Sequence, residues 1–194
     1  GFVDRTGKEV IPLIYDYANE FKDGLAIVKV RVKKRDTYGL IDRTGKEVIP
    51  LIYDYVYDFK DGLAKVKNRT KYGYIDQTGK EVIPSIYQEV GSFSEGLFAV
   101  KKDDKWGYID QTGKEVIPLI YDDVDHNFLE GLAPVQKDDK WGYIDQTGKE
   151  VIPISLIYDY VSHFSDGLAV VEKDDKYGYI DRTGKEVIPL IYDR

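Results

Sequence analysis

Along this chain, short runs of alternating apolar and polar residues recur at near-constant spacing, separated by turns rich in Gly and Asp. From Trp106, "WGYID" alternates ring, Gly, ring, apolar and polar, a period of two that predicts a strand. "DQTGKE" follows, where Asp110 is placed to accept nearby backbone amides and Gly113 suits a positive φ. That combination predicts a type I turn closed by a glycine bulge. "EVIPLIYDDV" reads as a second strand rich in β-branched residues. Pro118 inside it cannot donate to a ladder, so the strand must bend there or lie at an edge. Gly131 in "LEGL" marks a turn, "LAPVQK" a third strand, and the tight pair Asp138–Asp139 returns the chain to the next "KWGYID".

The whole unit repeats. Copies open at Gly1, Gly39, Gly73, Gly107 and Gly142, with a half copy from Gly178, a period of about 34–38 residues. The chain 1–194 is therefore expected to be a single all-β repeat array. Three-stranded meanders would stack into an open β-solenoid or superhelix, the alternative being a closed propeller-like toroid. Propeller blades usually need four strands and about 40–45 residues, and both ends carry the same hairpin rather than complementary halves, so the open array is preferred. Extra residues in "KVRVKKRDTY" and near "VDHNF" fall in expected loops. The lengthened "IPISLIYD" predicts a local bulge between Pro153 and Tyr158. The chain opens inside a repeat and holds no Met, which reads as a processed form or a piece of a longer protein.

Composition narrows the function classes. Net charge is -7, and Lys alternates with Glu or Asp, so no basic patch for nucleic acid is expected. Cys is absent, which excludes disulfides and Cys-ligated metal centres. No apolar run approaches the roughly 20 residues that span a bilayer, and no signal peptide is visible. The 17 Tyr residues suit strands with one wet face, because the ring packs while the hydroxyl stays hydrated.

"KKDDKWGYIDQTGKEVIPLIYDDV" and "QKDDKWGYIDQTGKEVIPISLIYDYV" resemble the bacterial WG-containing repeat family, also called KWG repeats, over essentially the whole chain. The Trp-Gly signature stands at Trp106–Gly107 and Trp141–Gly142; Tyr replaces Trp at Tyr38–Gly39, Tyr72–Gly73 and Tyr177–Gly178. The resemblance implies an all-β array in a bacterial protein and supplies no catalytic motif. In physical terms, a glycine beside each ring lets a neighbouring backbone approach, and one ring per unit predicts a ladder of stacked rings.

Candidate chemistry is sparse. The pairs Asp103–Asp104, Asp138–Asp139 and Asp174–Asp175 lack EF-hand or RTX spacing and are read as turn residues. His126 and His163 fall in matching linkers, with no carboxylate placed in a recognisable ligand motif, and are read as solvated loop residues. "TGKE" lacks the phosphate-loop pattern and precedes a strand. No cofactor, metal site or catalytic constellation is expected, and the chain is read as not an enzyme. The aromatic rows are the strongest feature: Tyr15, Tyr53, Tyr87, Tyr121, Tyr158 and Tyr192 form one, and Tyr74, Tyr108, Tyr143 and Tyr179 follow the signature glycine. Tyr74, Tyr108, Tyr143, Tyr179, Trp106 and Trp141 are the candidate ligand or stacking face, against plain cross-strand packing. The expected function is a scaffold for a protein, peptide or cell-surface polysaccharide, and the alternative is self-association into filaments. An extracellular or cell-surface location is preferred to a cytoplasmic one.

Overall fold

The computed structural model describes residues 1–154 and 158–193. Its strands form one two-stranded sheet and five four-stranded antiparallel sheets. The N-terminal half-sheet pairs Phe2–Val3 with Glu9–Ile11. Sheet I runs Tyr17–Ala18, Leu25–Val32, Arg35–Asp42, Glu47–Tyr53. Sheet II runs Tyr55–Val56, Leu63–Asn68, Lys71–Asp76, Glu81–Tyr87. Sheet III runs Glu89–Ser94, Leu97–Lys102, Lys105–Asp110, Glu115–Tyr121. Sheet IV runs Asp123–Val124, Leu132–Lys137, Lys140–Asp145, Glu150–Ile152, and sheet V runs Tyr160–Val161, Leu168–Lys173, Lys176–Asp181, Glu186–Tyr192. Two compact units result, Gly1–Ile86 and Tyr87–Arg194.

The three-stranded meander expected from the sequence is corrected to four strands. The apparent single strand "EVIPLIYDDV" breaks at Asp122. Glu115–Tyr121 closes sheet III, whereas Asp123–Val124 opens sheet IV by pairing with Val135 and Gln136. Each sheet therefore takes its first two strands from one sequence repeat and its last two from the next. The aspartate at the break holds the corner. Asp122 meets Lys105 of sheet III and accepts the Asp138 N–H of sheet IV's hairpin at 2.8 Å. Asp159 does the same with Lys140 at 2.7 Å and the Asp174 N–H at 2.9 Å.

The hairpin chemistry is as the sequence predicts. Asp110 Oδ1 accepts the Thr112 N–H at 2.8 Å, the Thr112 hydroxyl at 2.6 Å and the Lys114 N–H at 3.1 Å. The Gly113 N–H donates to the Asp110 carbonyl at 3.0 Å, and Gly113 sits at φ +81°, where a side chain would be strained. At the other corner, both Asp138 and Asp139 have positive φ, the two-residue turn that matches strand twist. Pro118 is exposed on an edge strand whose register shifts opposite Trp106 and Tyr108. The signature glycine explains that shift: a Cβ on Gly107 would lie 2.6 Å from the Ile117 carbonyl oxygen, so the edge strand folds over the bare glycine. The bulge expected between Pro153 and Tyr158 lies outside the described residues.

Within each unit, apolar clusters sit between successive sheets. In the second unit, Tyr108, Ile117 and Tyr121 of sheet III pack with Val124, Phe128, Val135 and Ile144 of sheet IV. Tyr143 and Ile152 of sheet IV pack with Val161, Phe164, Val171 and Ile180 of sheet V. In the first unit, Leu40, Ile49 and Tyr53 of sheet I pack with Val56, Ala64, Val66 and Ile75 of sheet II. A sheet of two to four short strands cannot bury an apolar face alone, so each leans on the next copy. Among the described residues, no helix is long and apolar enough to cross a membrane.

Candidate functional site

The structure separates the predicted aromatic face into core and surface. Tyr108 and Tyr143 are fully buried, and their hydroxyls donate to the Asp125 and Ser162 carbonyls, each at 2.6 Å. Burial pushes both phenols well above the ordinary tyrosine range. Trp106 is buried and Trp141 half-buried, while Tyr74 is half-buried with its hydroxyl pKa raised by burial. Only Tyr179 of that set is exposed, at 39%. Tyr53, Tyr87, Tyr121 and Tyr158 of the other row are buried too. The ladder of signature rings takes a different form. Trp106 lies 4.8 Å from His126 and Tyr38 lies 5.0 Å from Tyr55, each partner coming from the opening segment of the following sheet.

A third set of tyrosines, Tyr17, Tyr55, Tyr57 and Tyr160, is exposed on or just after the short first strands. Their exposure is not announced by the alternation along the chain. Alternation carried through "IYDYV" places both tyrosines on one face, but the break at the intervening aspartate turns the second one outward. The usable signal is the "YDY" triplet, in which the aspartate caps the next hairpin and ends the strand.

These rings border two equivalent clefts, one inside each unit. Between sheets I and II, Tyr17, Asn19, Ile27, Tyr38, Tyr55, Val56, Tyr57 and Asp58 line a space of about 250 Å³. Between sheets IV and V, Asp123, Val124, Asp125, Pro134, Trp141, Tyr160, Val161, Ser162 and His163 line one of about 250 Å³. Tyr38 corresponds to Trp141 and Tyr55 to Tyr160, so both clefts keep a signature ring and a first-strand ring.

Their electrostatics are acidic. Neither cleft has Lys or Arg in its lining. Lys29, 5.9 Å from the Tyr38 ring centroid, is held by Asp36 at 3.0 Å. Hydrogen bonds from Arg31 and Lys29 lower the Asp36 carboxyl to about 2. In the second cleft, His163 Nε2 lies 2.7 Å from Asp125 Oδ2, while buried His163 Nδ1 has no partner. The expectation of a solvated loop histidine is corrected for His163, which bridges sheets IV and V; His126 is exposed, as expected, with its ring 4.8 Å from that of Trp106. Among the described residues, no group of three or more His, Cys, Asp or Glu could hold a metal ion.

Three solved structures show how far the likeness extends. A eukaryotic initiation factor is 11% identical, with 86% of this chain and 52% of that one covered and a TM-score of 0.48. Kluyveromyces lactis Hsv2 is 10% identical, with 84% and 59% covered and a TM-score of 0.47. The tricorn protease is 15% identical, with 96% and 22% covered and a TM-score of 0.34. The chain spans less than two thirds of each, and likenesses this weak carry no argument. No curated protein matches the chain. The model of the WG containing repeat, in contrast, matches residues 1–33, 38–72, 72–106, 106–141, 141–177 and 177–194. With tandem copies from one end to the other, the chain belongs to the WG containing repeat family.

Proposed function

We propose that the chain is a non-enzymatic scaffold, an open array of stacked sheets that presents recurrent aromatic positions to a protein, a peptide or a cell-surface glycan. One observation carries this reading: Tyr17, Tyr55, Tyr57 and Tyr160 stay 41% to 51% exposed beside recurring clefts, although the fold buries Tyr53, Tyr87, Tyr108, Tyr121, Tyr143 and Tyr158. Exposed rings in register suit stacking on sugars or extended chains. The four-stranded sheet matches a propeller blade in strand number, so strand count does not separate an open array from a ring. Peptide and glycan arrays probed with the chain test the proposal. Binding should appear with the natural chain and be lost with the Tyr55→Ser/Tyr160→Ser double variant. No binding at high protein concentration would refute it.

A second reading, self-association end to end, is supported by an apolar side chain exposed at equivalent positions of successive copies: Ile14, Ile52, Ile86, Ile120 and Ile191 are 42% to 67% exposed. Heterologous contacts of this kind propagate into filaments. Electron microscopy of concentrated protein should then show strings, shortened by Ile191→Lys; monomers across a wide concentration range would exclude them.

A further inference from the structure

We propose that the cleft between sheets I and II binds a trimethylammonium group on an uncharged stem, as in choline or a trimethylated lysine side chain. The proposal rests on the scaffold reading for the use of these tyrosines as a contact surface. It adds the chemistry that they recognise.

Three features of the cleft converge on this ligand. The first is its rings. Tyr17, Tyr38, Tyr55 and Tyr57 all contribute to its lining. They are not parallel: Tyr38 and Tyr55 meet at 51° and Tyr55 and Tyr57 at 65°, with centroids 5.0 and 4.7 Å apart. Tilted rings around one space surround a compact cation better than they support a flat sugar, and ring faces attract quaternary ammonium groups electrostatically. The second is charge. Asp58 is exposed at the cleft and its carboxylate makes no hydrogen bond or ion pair among the described residues. No lysine or arginine lines the space, and nearby Lys29 is committed to Asp36. The third is size. At about 250 Å³ the space is below the range of drug-sized ligand pockets, and it suits one small head group.

The equivalent cleft between sheets IV and V keeps less of this set. The signature ring and a first-strand ring persist as Trp141 and Tyr160, but Asp123, Asp125, Ser162 and His163 stand where the first cleft has Tyr17, Asn19, Tyr57 and Asp58. Asp125 is already engaged by His163, which makes the first cleft the better site. Asp58 also sets the stem. A phosphate next to the ammonium group would face this carboxylate with no lining cation to offset it, so phosphocholine should bind less well than choline.

The test is an NMR titration of the full chain with choline chloride at constant ionic strength. Saturable shifts are expected at Tyr38, Tyr55 and Tyr57. The neutral tert-butyl isostere of choline should produce none, and trimethyllysine should bind like choline. Asp58→Asn and Tyr57→Leu, both at exposed positions, should each weaken choline about tenfold. The proposal is overturned by equal binding of the isostere, by unchanged affinity in Asp58→Asn, by phosphocholine binding as tightly as choline, or by no saturable shift at the highest soluble concentration. Choline binding with blank peptide and glycan arrays would refute the scaffold and keep the cleft. The opposite pattern would refute the cleft alone.

Discussion

The hairpins 107–121 and 178–192 differ at one position, Gln111 against Arg182, yet their burial diverges. Tyr108 is fully buried and Tyr179 is 39% exposed; Tyr121 is 4% exposed and Tyr192 is 56% exposed. Ile117 lies under the following copy's turn, where a Cβ on Gly148 would sit 3.3 Å from its side chain, while Ile188 is half-exposed. The alternate positions Ile109 and Ile180 do not differ: both are buried. Side-chain pattern sets which face could be buried. The neighbouring copy decides whether it is, as nearest-neighbour coupling in repeat arrays requires.

The largest test of that contrast is a cavity pair. Ile117→Ala should cost about 2–5 kcal/mol in chemical denaturation, whereas Ile188→Ala should cost about 1 kcal/mol or less, because less area leaves water. Equal losses would mean that the hairpin carries its stability locally. Next comes a hydroxyl pair. Tyr108→Phe removes the donor to the Asp125 carbonyl and should cost about 1–2 kcal/mol. Tyr179→Phe should stay within about 0.5 kcal/mol. The smallest effect should show no contrast. Asp110 and Asp181 each accept hydrogen bonds from the Thr hydroxyl and from backbone N–H groups in their own turns, and both carboxyls lie below the usual aspartate value. A depressed carboxyl pKa contributes stability that is present above the unfolded value of about 3.9 and is lost as pH falls through the lowered folded value. Acid titration by NMR should therefore give depressed values for both residues. A normal value at Asp181 alone would show that the turn, too, depends on a neighbour.

Much of the fold was legible because its turns are local. Asp110, Thr112 and Gly113 make the predicted hairpin from residues adjacent in sequence, and Asp138–Asp139 needs only two positive φ angles. The fourth strand was not legible. Asp123–Val124 is two residues long and acquires its identity by pairing with Val135 and Gln136, a contact that no local pattern announces. The same break hid the surface tyrosines. Tyr108 and Tyr143 have the composition of a stacking face, but only the packing of the next sheet shows that they are interior. The acidic clefts were beyond sequence reach for the same reason, since Tyr38 and Tyr55 meet across two sheets.

Because every complete sheet is stitched from two consecutive copies, the point at which a copy is counted has no physical meaning. Duplicating or deleting one full period, cut anywhere within it, leaves each remaining sheet with its four strands and each interface with its usual partner. A change of a few residues within one copy, by contrast, must satisfy two sheets at once.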